Sequence, residues 1–343
     1  MNMKKIKRAD IERILILCAA ALVVVLALKG NEQTTSQVLV EQTAIPIEQT
    51  MTDTQVETVS TVVFYEDGEG YLVPVTRQIE KTDGIAKATL NLMVKSSAND
   101  MQAARLGLRT VIPEGTTFEI DIADGRANVN VSKEALTCAS AAEEVLMVDA
   151  ITNTMACFAS VDEVTLEFDG QKRSRLTYGT DVSGVFNGGN LNLESVETFS
   201  ADAGMVQLYF PSQTGRLLVP VTRTVFSNAD VSTAVLELAK GPKDDSGLER
   251  ALPPDCGVKN VTMKDGIATI NFSQEFKEVM ETSDGGDQAI RAILFTCSQF
   301  PGVKKVEVQV EGQKLDKQPD AAATFINEEA EVIAQYPGVV ELD

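Results

Sequence analysis

The chain has no histidine and no tryptophan in its 343 residues, and aromatics make up only 5% of it. Without histidine there is no imidazole general base at neutral pH, no Ser-His-Asp or Cys-His nucleophile, and no zinc site that needs a ring nitrogen. Without tryptophan the commonest stacking platform for sugar rings is missing. Cations are scarce as well: 30 Lys and Arg stand against 50 Asp and Glu, for a net charge of −20. Residues 1–30 hold six cations (Lys4, Lys5, Lys7, Arg8, Arg13, Lys29) against Asp10 and Glu12, which leaves −24 on the remainder. A body this acidic repels nucleic acid, anionic headgroups and anionic wall polymers. No nucleic-acid partner is expected, and peptidoglycan is a disfavoured one.

The long apolar run is Ile14 to Leu28, flanked by Arg13 and Lys29. As a helix it reaches about 22 Å, against a hydrocarbon core of about 30 Å, and snorkelling by the flanking cations covers much of the deficit. Basic residues precede it, so the short tail is expected in the cytoplasm and the body outside. Two other modes compete. A cleaved signal peptide fits the length, but Leu26-Ala27-Leu28 is a poor cleavage site. A lipoprotein would use Cys18, yet Leu17 stands where a small residue is needed. The preferred reading is an uncleaved anchor over residues 1–30. Residues 31–60, rich in Thr, Gln and Glu, read as a flexible stalk.

The body repeats itself. YLVPVTR (71–77) returns as LLVPVTR (217–223), 146 positions later. DGRANVNVSKE (124–134) answers DGIATINFSQE (265–275), and FDGQK (168–172) answers VEGQK (310–314). Kept order and a nearly fixed offset indicate tandem duplication. Each unit begins with two strands, VVFY or VQLYF and then the VPV phrase. Pro74 and Pro220 cannot donate to a ladder, which places the VPV strand at an edge. A helix follows, capped by Asp230 in the second copy and stopped at Gly241-Pro242. Asp-Gly between alternating runs predicts a tight hairpin. A second helix presents Val148, Ile151, Met155 and Phe158, or Ile290, Ile293, Leu294, Cys297 and Phe300, on one face. A last strand closes the unit. The expected fold is α+β: two tandem homologous β-β-α-β-β-α-β domains, each a mixed sheet covered by two helices, behind an N-terminal membrane helix. The expected domains are 61–178 and 205–318, with a linker at 179–204 and an acidic tail at 319–343.

The ordered landmarks resemble the GerM-domain family of sporulation and spore-germination proteins. The resemblance covers about 63–178 and 206–316. It is fuller in the second copy, which keeps LYFP, LVPVTR, LAKGP, LPPDCGV, KDGIATINFSQEF and FTCSQFPGVKKVEVQVEGQ. The first copy departs at Lys95-Ser96, in place of the Gly-Pro stop, and at Ala159-Ser160-Val161. The resemblance implies a non-enzymatic role in envelope assembly during sporulation, supporting a channel-like complex between mother cell and forespore, with envelope or channel proteins as partners. It also implies a fold like the ring-building modules of trans-envelope secretion complexes. A wall-binding or germination accessory module is the alternative, and a carboxylate-dependent wall hydrolase a third.

Sites of chemistry are thin. Glu143-Glu144 suits a helix N-terminus, and Asp244-Asp245 a solvated loop. SDGGD (283–287) lacks the six-ligand spacing of a calcium loop. NGGN (187–190) does not join a strand to a helix, so it is no phosphate cradle. The cysteines Cys138, Cys157, Cys256 and Cys297 lack zinc-knuckle spacing. Bridges 138–157 and 256–297 are conceivable, but Cys138 and Cys256 are not equivalent in the repeat, and free thiols are expected. No cofactor, metal or catalytic residue is assigned. The one candidate binding feature is the VPV edge: Leu72, Val73, Val75 and Arg77, with Leu218, Val219, Val221 and Arg223, could border a docking surface by strand addition. The plainer reading is an edge blunted by proline.

Overall fold

The computed structural model describes residues 57–194, 203–282, 284, 286–320 and 326–329. The anchor, Cys18 and most of the stalk lie outside these residues, as do 195–202 and 330–343. Among the described residues no helix is long and apolar enough to cross a membrane.

The first repeat runs β1 (Thr58–Glu66), β2 (Leu72–Glu80), α1 (Ile85–Asn91), α2 (Ser97–Arg105), β3 (Phe118–Ala123), β4 (Arg126–Val131), α3 (Ala141–Ala156) and β5 (Glu163–Phe168). The second runs β6 (Gly204–Pro211), β7 (Leu218–Val225), α4 (Val231–Lys240), β8 (Val258–Lys264), β9 (Ile267–Phe272), α5 (Asp287–Ser298), β10 (Lys305–Val310) and β11 (Gln313–Lys314). The α+β class and the expected order of major elements are seen in both copies.

Two details differ from expectation. Each repeat holds two sheets, not one mixed sheet. β1-β2 and β6-β7 are separate antiparallel pairs, beside β3-β4-β5 and β11-β10-β9-β8. On its outer edge each VPV strand meets segments that follow the two repeats, described below, so neither strand extends the larger sheet from that edge. The first copy also gains a helix, α2. Ser96, which stands near the place of the second copy's Gly-Pro stop, caps it by accepting from Asn99 N–H at 3.2 Å. A chain without that Gly-Pro can restart a helix where the second copy goes straight to a loop.

The repeated landmarks have structural partners in both copies. In the DG hairpins, Asp124 and Gly125 have φ of 51° and 79°, and Asp265 and Gly266 have 53° and 82°. Two consecutive positive φ values are what a two-residue hairpin turn with right-handed twist requires. The serine of Ser-x-Glu braces the neighbouring strand: Ser132 Oγ accepts from Thr117 N–H at 3.0 Å, and Ser273 Oγ from Gly257 N–H at 2.8 Å. Asn130 Oδ1 takes Gly170 N–H at 2.8 Å, and Asn271 Oδ1 takes Gly312 N–H at 2.8 Å. Those bonds hold the turn after the last strand. β4 pairs parallel to β5, and β9 to β10, so α3 and α5 are the crossovers that such parallel pairs need.

Each repeat has its own core, with Phe118, Met147, Ile151 and Phe168 in the first and Phe210, Phe272, Phe276 and Ile293 in the second. The cores are not isolated. Leu217 and Val219 of β7 and its approach belong to the first core, and Tyr71 and Leu248 pack against both. The halves therefore meet through apolar contact where the VPVTR phrases lie.

Candidate functional site

Six consecutive residues of β2, Leu72 to Arg77, are buried, as are Leu218 to Thr222 of β7. A hairpin facing water on one side would alternate. Here consecutive residues are buried, within the two cores that meet at these strands.

The outer edges of β2 and β7 face each other. Alternate residues of a strand send their peptide groups to the same edge, and in β2 these are Leu72, Pro74 and Thr76. The two edges do not pair directly. Two asparagine side chains sit between them. Asn192 Oδ1 accepts from Leu72 N–H at 2.8 Å, while its Nδ2 donates to Leu72 C=O at 2.8 Å and to Pro220 C=O at 2.7 Å. Asn327 repeats the pattern with the repeats exchanged. Its Oδ1 accepts from Leu218 N–H at 2.8 Å, and its Nδ2 donates to Leu218 C=O and Pro74 C=O, both at 2.9 Å. A carboxamide carries the donor and acceptor of a peptide group, so each asparagine stands in for a missing strand residue.

This geometry explains the prolines. Pro74 and Pro220 lie on the shared edge, where their carbonyls are used and an N–H would find no acceptor. Proline supplies the acceptor without the orphan donor.

Beyond the asparagines the chain forms two more strand-like contacts. The segment after the first repeat runs parallel to β7, with Leu193 opposite Thr222. Thr222 N–H donates to Leu191 C=O at 3.0 Å, Thr222 Oγ1–H to the same carbonyl at 2.8 Å, and Glu194 N–H to Thr222 C=O at 2.9 Å. The segment after the second repeat runs parallel to β2, with Glu328 opposite Thr76. Thr76 N–H donates to Asn327 C=O at 3.2 Å, and its hydroxyl to Ile326 C=O at 3.1 Å. Each repeat's trailing segment thus docks on the other repeat's VPVTR strand. The segments read Leu191-Asn192-Leu193-Glu194 and Ile326-Asn327-Glu328-Glu329, an aliphatic residue, asparagine, any residue and glutamate.

The arginines of VPVTR take the glutamates. Arg223 holds Glu194 with two bonds, Nε to Oε2 at 2.8 Å and Nη2 to Oε1 at 2.9 Å, with side chains 12% and 9% exposed. It also reaches Glu237 at 3.3 Å and Gly241 C=O at 3.0 Å. Arg77 holds Glu329 through one bond, Nε to Oε2 at 2.9 Å, with exposures of 9% and 22%. Its other nitrogens bind Tyr65 Oη at 3.0 Å and Gln102 Oε1 at 2.7 Å. Burial works against both guanidinium charges. Glu194 and Glu237 more than offset it for Arg223, as Tyr65 and Glu329 do for Arg77, so both pKa values end above the ordinary arginine value.

Among the named edge residues, then, Leu72, Val73, Val75, Leu218, Val219 and Val221 are buried, Val219 of them in the core of the first repeat, and Arg77 and Arg223 grip the crossing segments. Sequence reasoning missed Asn192, Glu194, Asn327 and Glu329. The shared four-residue pattern after each repeat was the available signal. Residues 179–194, read as linker, pack against the first repeat, burying Val182 and Leu191 and pairing Phe186 with Val164.

The other candidates resolve into local structure. Glu143 and Glu144 occupy the first turn of α3, and buried Glu144 accepts from Tyr178 N–H at 2.9 Å and Thr180 Oγ1–H at 2.9 Å, fixing that loop. Asp284 accepts from Gly286 and Gln288 N–H at 3.0 and 2.9 Å ahead of α5. Cys138, Cys157, Cys256 and Cys297 form no disulfide bond. Burial raises the thiol pKa of Cys138 and Cys256 to about 11 and that of Cys297 to about 12. Among the described residues no group of three or more His, Cys, Asp or Glu is arranged to hold a metal ion.

Fold and interface define a tandem-repeat α+β protein whose two copies of one domain close on each other through a shared strand edge. The family model for sporulation and spore germination, Germane, matches residues 61–174 and 207–316. The spore germination protein GerM of Bacillus subtilis (strain 168) is 30% identical over 267 residues, covering 75% of this chain and 72% of that protein. The solved structure of the tandem GerMN domains of the sporulation protein GerM from Bacillus subtilis matches with a TM-score of 0.67 at 26% identity, covering 79% of this chain and 99% of that one. The chain belongs to the Germane family of sporulation and spore germination proteins.

Proposed function

We propose that the chain is a non-enzymatic assembly factor of the sporulation envelope, held at the membrane by residues 1–30 with its body outside the cytoplasm. It supports a complex between mother cell and forespore through protein contacts. One observation carries the reading: the side chains of the repeated VPVTR phrase bind protein backbone and protein carboxylates. The family's membership in sporulation supplies the setting, and the acidic body disfavours wall polymers as the ligand.

Deleting the gene in its own host tests this. Engulfment or forespore development is expected to stall, and the full-length chain supplied in trans to restore it. Normal spores without the gene would sink the proposal. Tight sedimentation of the purified body with peptidoglycan sacculi would replace it with a wall-binding role.

A further inference from the structure

The two strand sites are chemically the same but unequally filled. On β7, the crossing segment is gripped by a two-bond Arg223–Glu194 pair, with Lys243 at 3.8 Å from the same carboxylate. On β2, a single bond joins Arg77 to Glu329, whose side chain is more exposed, at 22% against 9% for Glu194. Arg77 does not need Glu329 to stay in place. Tyr65 and Gln102, both from the first repeat, already fix two of its nitrogens. Pro74, Thr76 and Arg77 come from the first repeat and their occupant from the segment after the second, a separation of about 250 residues in sequence, while the occupant's asparagine also reaches Leu218 of β7.

We propose that the outer edge of β2, with Pro74, Thr76 and Arg77 as its reading groups, is an exchangeable peptide-binding site for an extended segment of the pattern aliphatic-Asn-x-Glu carried by a partner protein, and that Ile326–Glu329 is its resident occupant. The specificity is legible from two occupants, one on each site, that share these residue types and nearly the same contacts. The aliphatic residue enters a buried position, as Leu191 and Ile326 do. The asparagine bridges the facing edges of both repeats. The glutamate, two residues on, meets the guanidinium. Strand addition supplies sequence-independent bonds, and these three side chains supply the discrimination. A tethered occupant competes at an effective concentration of about millimolar, so a partner segment enters only where it is itself concentrated or where the resident contacts are weakened. The inference rests on the reading that the chain works through protein contacts. The two fail separately: peptide binding to purified protein with normal spores from the deletion strain would refute only that reading.

The test uses the full-length chain and a fluorescent peptide of residues 324–331. The variant carrying Asn327→Ala and Glu329→Ala, with its resident segment weakened, is expected to bind the peptide at least tenfold more tightly than the unaltered chain. Adding Arg77→Ala is expected to remove at least tenfold of that affinity. A peptide with alanine for its asparagine and glutamate is expected not to compete. Failure of the weakened variant to bind, or equal binding of the altered peptide, would overturn the proposal. Amide exchange in the unaltered chain checks it without any substitution. Thr76 N–H is expected to exchange at least tenfold faster than Thr222 N–H, because the β2 segment opens by itself; equal protection would overturn exchangeability. A concentration-dependent dimer abolished by Glu329→Ala would assign the site to a second copy of this chain and overturn the partner assignment.

Discussion

Arg223 holds the crossing segment of the first repeat on β7 through a buried, two-bond ion pair. In Arg223→Ala the Glu194 carboxylate, 9% exposed, loses both of its guanidinium bonds, and the carbonyl of Gly241 loses one. Breaking a buried pair by removing one partner costs about 3–5 kcal/mol, because the remaining charge is left desolvated. Arg77→Ala removes one bond to a more exposed glutamate, together with those to Tyr65 and Gln102. Hydrogen bonds to charged groups are worth about 1.5–3 kcal/mol, and partial exposure of Glu329 moderates the loss, so about 2 kcal/mol is expected. In thermal unfolding at about 2–4 °C per kcal/mol for a body of this size, Arg223→Ala should lower Tm by roughly 10 °C and Arg77→Ala by about half that. The double replacement Arg223→Met with Glu194→Leu should recover part of the loss, since no Glu194 charge is left unpaired and Glu237 keeps its contact with Lys240. Added salt should change the Arg223 effect little, because the pair is screened by protein and not by ions. Equal losses for the two arginines, or a double variant as unstable as Arg223→Ala, would refute the reasoning.

Three further outcomes follow from the same geometry. Asn192→Ala leaves Leu72 N–H and two carbonyls without their partner and should cost about 2–3 kcal/mol by denaturant titration; a loss below about 0.5 kcal/mol would contradict the bridging role. Burial raises the Asp149 carboxyl to about 6. A folded-state pKa above the unfolded value of about 3.9 means that its charged form opposes folding, so stability from this group rises as pH falls from above 6 towards 4. Asp149→Asn should flatten that rise and stabilise the protein at pH 7.5 by on the order of 2 kcal/mol; superimposable pH profiles would count against it. At pH 8, Cys297 and the other two buried thiols should resist alkylation until the protein is unfolded, with half-buried Cys157 modified first; mass spectrometry showing Cys297 modified as fast as Cys157 would be the contrary result.

Much of each domain was legible in the sequence because its signals are local. Asp124-Gly125 and Asp265-Gly266 announce hairpins through two consecutive positive φ values. Ile290, Ile293, Leu294 and Cys297 announce a buried helix face through their spacing. Helix α2 was not legible, because only Ser96 marks its start and the second copy has no counterpart to compare. The split of each repeat into two sheets was hidden for a different reason. The outer edge of β2 is taken up by partners 120 and about 250 residues away, and that of β7 by partners 31 and 109 residues away. They lie in segments that read as a Gly- and Asn-rich linker and an acidic tail. Local composition describes such segments correctly as irregular, and says nothing of the surface they meet. The prolines gave half the answer. They marked an edge that cannot accept an ordinary ladder, but not that asparagine side chains complete it.

The repeated VPVTR phrase joins the two domains into one body. Differential scanning calorimetry of the body tests it most directly. A single transition is expected, with agreeing calorimetric and van't Hoff enthalpies, and Arg77→Ala combined with Arg223→Ala should split it into two. Two independent transitions in the unaltered protein would contradict it.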